Sequence, residues 1–171
     1  MRIGWSMADI TPDQPVVLRG QFHSRISQRV NDPLTATALA IEGPDGEGTV
    51  AQAVMVSCDL VSVPGVIQQR LQAVLAERLA DLDVSKVFLN ATHTHTGPTI
   101  KEGSYPDAGP GVMTPTEYAD LFVERVAQAI VEAWESLEAL AAHLQTPHML
   151  AYKEEVKGIV ESVSFHVLQP V

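Results

Sequence analysis

An α/β domain, a mixed β-sheet with packed helices, is the fold class that three features of the sequence predict. Two runs rich in Val, Ala, Ile and Thr, residues 34–43 and 49–57, flank the turn "PDGEG" and read as a hairpin. A stretch of helical periodicity then leads into the apolar run "VFLNAT", so that strand, helix and strand follow one another as in a parallel crossover. A second, longer helical pattern opens with its own capping signal at Thr114.

The elements follow in order. "RIGWSMADI" ends at the turn residues Thr11, Pro12 and Asp13 and reads as a short strand, with "PVVLRG" a second extended piece after it. Residues 21–33, "QFHSRISQRVNDP", are polar and aperiodic, the pattern of a loop. Ser62 and Pro64 open a helix of about 16 residues whose apolar positions Val66, Ile67, Leu71, Val74, Leu75 and Leu79 share one face. "DLDVSK" closes it. The continuous apolar character of "VFLNAT" predicts a strand covered on both faces. Residues 101–113, with three glycines and two prolines, form a loop long enough to suggest a functional role. Thr114, Pro115 and Glu117 fit a capping box, and Tyr118, Leu121, Phe122, Val126, Ile130 and Trp134 line one face of the helix that follows. "AAHLQT" and "ESVSFHVLQ" look like further strands, and the charged "YKEEVKG" between them has no clear form. With 171 residues the whole chain, 1–171, fits a single domain.

Eleven Lys and Arg against 21 Asp and Glu give a net charge of −10, which repels phosphate backbones and anionic lipid surfaces, so nucleic acid is a poor partner. No apolar stretch approaches the ~20 residues of a membrane span, and no signal peptide is seen, which makes the cytoplasm the expected location. The one cysteine, Cys58, sits in an apolar run, excludes an intrachain disulfide and reads as a small buried hydrophobe. No G-x-S-x-G elbow, Walker loop or dinucleotide glycine motif appears.

The chemistry concentrates in "VFLNATHTHTGPT", residues 87–99. If the strand continued through them, His93 and His95 would project to one side, near enough to share one metal ion at about 2.0–2.1 Å each. Imidazoles suit zinc first among the candidate metals. The competing interpretation is two ordinary polar residues at a strand end. His23 and Arg25 lie in the loop that could converge on the same place. Asp59 closes "MVSCD" and is either a ligand, a carboxylate that orients a ligating histidine, or a cap for the next helix. His143, His148 and His166 read as structural or exposed.

"GWSMADITP", "DPLTATALAIE", "AVMVSCDLV", "VFLNATHTHTGP" and "MTPTEYADLFVERVAQAIVEAW" resemble, in that order, the N-terminal part of the catalytic domain of the neutral/alkaline non-lysosomal ceramidase family, over about residues 2–142. The T-H-T-H-[ST]-G-P element is the most specific part. The resemblance implies a zinc-dependent amide hydrolase acting on a small or lipid-like amide such as ceramide, with one Zn2+, His93 as a metal ligand and His95 as a catalytic group beside it. It also implies that the family's second zinc histidine, its Glu and Tyr ligands and its serine motif fall in a part that this chain lacks. The alternative is a non-catalytic α/β module that binds metal weakly and self-associates as a homo-oligomer, because a missing half would leave apolar sheet surface uncovered.

Overall fold

The computed structural model describes residues 1–46, 49–137 and 147–156. Its centre is a four-stranded sheet in the order β1-β2-β3-β4, formed by β1 (Arg2–Asp9), β2 (Thr35–Pro44), β3 (Val50–Cys58) and β4 (Val87–Ala91). The first three strands are antiparallel, with Trp5 opposite Leu39 and Leu39 opposite Met55. β4 joins β3 in parallel, Met55 opposite Phe88, through the crossover helix α1 (Gly65–Arg78). The mixed sheet with packed helices and a strand-helix-strand crossover is therefore an α/β fold, as the pattern of elements leads one to expect.

Both main helices cover one face of the sheet. Helix α2 (Pro115–Glu135) lies across β1 and β2 and packs on α1, which also touches β4. Its start is fixed as its sequence dictates: the Thr114 hydroxyl accepts from the Glu117 amide while the Glu117 carboxylate accepts from the Thr114 amide at 2.8 Å. Period 2 in the strands and 3.6 in the helices meet in one core. Ala36, Ala38, Ala40, Val54, Val56 and Cys58 face Ile67, Leu71 and Leu75 of α1 and Tyr118, Phe122, Val126 and Ile130 of α2, all buried. The small residues on β2 let α2 come close. At Gly4 the approach is closest, since a Cβ there would lie 2.0 Å from the Ala133 carbonyl oxygen. Arg70–Asp120 and Arg78–Glu124 pairs tie α1 to α2 along their exposed edges.

One expectation needs revision. β4 is not covered on both faces: Val87 is buried, but Phe88 and Asn90 are exposed, because among the described residues the helices occupy one face of the sheet. Residues 15–20 provide the extended piece expected after β1. Val16, Val17 and Leu18 make single bridges to Met113, Ile26 and Pro98, which staple the two long loops together. The charged "YKEEVKG" falls partly on α3 (Pro147–Val156), while "AAHLQT" and "ESVSFHVLQ", with His143 and His166, lie outside the described residues.

Candidate functional site

β4 ends at Ala91, and the chain then follows the segment leaving β3. Thr92 donates its amide to the Cys58 carbonyl at 2.9 Å and His93 to the Leu60 carbonyl at 3.0 Å. His93 then turns sharply, with φ 65, the one non-glycine residue of positive φ among the described residues. Strand alternation is thus not what places the two imidazoles, since both histidines stand beyond the strand. The turn nevertheless brings the rings together, with centroids 5.0 Å apart at an interplanar angle of 65°. Thr94 points away and bonds Thr96 at 2.9 Å.

Each ring has its own support. His93 Nδ1 lies 2.9 Å from the Val61 carbonyl oxygen, which can only accept. In the neutral ring Nδ1 therefore carries the proton and Nε2 presents its lone pair. His95 rests against Gly20, whose φ of +107 and missing side chain are both required: a Cβ there would lie 2.4 Å from His95 Cγ. Arg25 donates from Nη2 to the His95 carbonyl at 2.7 Å, and so holds the backbone of the turn rather than the ring.

The two rings open into a depression of about 420 Å³ that Arg19, Phe22, Val61, Ser104 and Tyr105 also line. Tyr105 donates its hydroxyl to the Gln21 carbonyl at 2.6 Å, with the Arg19 guanidinium 5.6 Å from its ring centre, so the loop of residues 101–113 is anchored at the rim. Sequence reasoning missed Gly20, Arg19 and Tyr105. "LRGQ" and the tyrosine in a glycine-rich loop were visible, but their meeting depends on two loops that no periodicity describes.

The remaining candidates lie elsewhere. Asp59 accepts through Oδ2 from the Thr35 amide at 2.8 Å and hydroxyl at 2.9 Å, and through Oδ1 from the Thr92 hydroxyl at 3.2 Å, pinning the starts and exits of three strands. It does not cap α1, whose N-cap is Pro64. Asp59 and Arg25 line a neighbouring cavity of about 580 Å³ with Thr94 and Thr96, whereas exposed His23 lines neither. Among the described residues no group of three or more His, Cys, Asp or Glu side chains is gathered where a metal could sit. No helix among them is long and apolar enough to cross a membrane.

A four-stranded mixed sheet with two helices on one face defines the structural class, and solved proteins are similar to it in fold. The neutral ceramidase of Pseudomonas aeruginosa is similar, with a TM-score of 0.64 and 22% identity over 78% of this chain and 21% of that one. A ceramidase complexed with C2 is similar at a TM-score of 0.59 and 21% identity, with the same coverage. At such identity the likeness is one of fold. The particular relatives in sequence are different: the antibiotic biosynthesis monooxygenase family profile matches residues 127–155. The probable quinol monooxygenase YgiN of Escherichia coli K12, and that of Shigella flexneri, are 56% identical over 41 residues, 24% of this chain and 39% of theirs. The chain thus spans about two-fifths of the length of the curated relatives it matches.

These matches overturn the expectation of a zinc-dependent amide hydrolase of sphingolipid metabolism. High identity lies with monooxygenases, and the ceramidase likeness, at 22% identity over about one-fifth of that enzyme, is one of fold and carries no activity with it. Residues 127–135 of the profile match form the last turns of α2, with Ile130, Ala133 and Trp134 buried against the sheet.

Proposed function

We propose that the chain serves the oxidation of a quinol by molecular oxygen. The observation that carries this reading is the 41-residue stretch 56% identical to a probable quinol monooxygenase, joined by the monooxygenase profile over residues 127–155. As a balance, a quinol and O2 give a hydroxylated quinone and water. One oxygen atom enters the ring, the other leaves as water, and the quinol supplies all the electrons, so no external reductant is required. The depression at the histidine turn is the place we assign to the substrate. His95 takes the phenolic proton as general base, the Arg19 cation favours the resulting anion, and Phe22 and Tyr105 offer apolar ring surface beside it. A cytoplasmic setting goes with this reading, as does a single domain over the whole chain.

Oxygen consumption by the purified chain with a soluble quinol, in the presence of a chelator, tests it. One O2 should disappear per quinol, and His95→Ala should slow the reaction about 100-fold or more. A rate no greater than that of the quinol alone in buffer refutes the proposal.

The spacing of the two imidazoles favours a second reading, in which His93 and His95 together hold one transition-metal ion. Rings bound to one ion through nitrogens at about 2.0–2.1 Å and a near-tetrahedral angle keep their centres about 5 Å apart, and the observed separation is 5.0 Å. Val61 fixes His93 with Nε2 available, the usual role of a carbonyl behind a ligating histidine. With two ligands the site suits weak binding, and no catalytic step is assigned to it. Titration with Co2+ alone should give a visible absorption that His93→Ala removes; identical spectra for both proteins would exclude the ion.

A further inference from the structure

The face of the sheet turned away from the helices is uncovered among the described residues, and its composition is unusual for a surface. Trp5, Leu39, Met55 and Phe88 stand opposite one another across all four strands, an unbroken apolar row perpendicular to the chain direction. Half-buried Ile3 and Ile41 continue the face beside it, in register with Ala53, which is itself buried. Trp5 is 63% exposed, Met7 and Met55 55% each and Phe88 38%. The side chains of β1 to β4 that share this face include one charge, Asp9 at its far end, in a chain of net charge −10.

We propose that this face is the interface of a homodimer in which two copies of the chain stack their sheets face to face. Three arguments select a second copy as the occupant. The first is area: Trp5, Met7, Met55 and Phe88 leave on the order of 450 Å² of apolar surface in water, more than half of the roughly 800 Å² that each partner of a standard interface buries. Half-buried Ile3, Leu39 and Ile41 fill in between them. The second is charge: two acidic chains repel least through a face that is nearly free of charge, whereas nucleic acid or an anionic membrane gains nothing from it. The third is shape. Sheets stack at about 10 Å with their strands about 30° apart, and a row that spans the sheet is self-complementary about a two-fold axis through its middle. The Trp5 end of one copy then covers the Phe88 end of the other, giving a helix, sheet, sheet, helix assembly. Bulky Trp5 and Phe88 at the ends, with Leu39 and Met55 between, suit that offset.

The surface is independent of the quinol chemistry, and either claim can fail without the other. Sedimentation velocity of the full chain from 1 to 100 μM, on the order of the range in which such interfaces operate, tests it together with the variants Trp5→Glu, Met55→Glu and, on exposed α1, Val66→Glu. The wild type should sediment as twice its 18.5 kDa mass. Either face variant should raise the dissociation constant at least tenfold, while Val66→Glu should leave it unchanged. Circular dichroism that matches the wild type shows that the variants fold. A wild type that stays monomeric throughout, or a dimer that both face variants leave intact, overturns the proposal. In the first case the face belongs to a different partner, and in the second the dimer forms elsewhere.

Discussion

Replacing Gly4 by alanine tests the seat of α2 on the sheet. The new methyl carbon would lie 2.0 Å from the Ala133 carbonyl oxygen, 2.5 Å from Ser136 Oγ and 2.9 Å from the Leu137 amide nitrogen. Two of these are backbone atoms, so no rotamer change relieves the contact and the last turn of α2 must move outward. Overpacking of this kind costs about 1–3 kcal/mol, and alanine returns about 0.4–1 kcal/mol by narrowing the unfolded ensemble. The net loss should be about 1.3 kcal/mol, a fall in melting temperature of roughly 3–5 °C for a chain of this size. Urea unfolding should show the loss as a lower midpoint at unchanged slope. An alanine variant as stable as the wild type would mean that residues 133–137 do not pack on β1 as closely as the structure places them.

Three further outcomes follow from the packing and titration of single groups. Tyr118→Phe should cost about 1–2 kcal/mol by equilibrium unfolding, because the buried hydroxyl donates to the Ile10 carbonyl at 2.9 Å and that acceptor is left unpaired; an unchanged midpoint would show that water replaces the hydroxyl. The Thr114 amide and hydroxyl hold the Glu117 carboxyl below the usual glutamate range. Its stabilising effect on α2 is therefore complete above the unfolded value of about 4.3 and disappears as pH falls through the lower folded value. Amide exchange in the first turn of α2 should rise there, and Glu117→Gln should flatten that acid limb. Burial, with the Asp59 charge as a lesser cause, pushes the Cys58 thiol up to about 12, so a thiol reagent at neutral pH should modify it only at the rate of unfolding. Prompt modification of the folded chain would contradict its position in the core.

Elements whose apolar residues repeat at a fixed period were legible in the sequence. Thr114 to Trp134 announces its helix through the capping box and a complete apolar face, and the strands around "PDGEG" through alternation and the turn. What periodicity cannot describe was lost. The open side of β4 depends on how many layers the chain supplies, and "VFL" is apolar whether or not a layer covers it. The histidine turn depends on the positive φ of His93, on Gly20 making room for His95 and on Val61 receiving Nδ1, contacts between loops far apart in sequence. Asp59 illustrates the same limit, since a carboxylate at a strand exit bonds Thr35 and Thr92 as readily as it would a histidine. The function suggested by "THTHTGP" failed for a related reason: a short motif travels with its fold, whereas the chemistry belongs to a complete set of partners.

The reaction assigned to this chain makes a demand that isotopes read directly. With isotopically heavy dioxygen, a quinol and a chelator, the product should be a hydroxylated quinone that carries one heavy oxygen atom, with the second recovered in water. An unlabelled quinone accompanied by hydrogen peroxide, or no reaction beyond that of the quinol in buffer, would contradict the account.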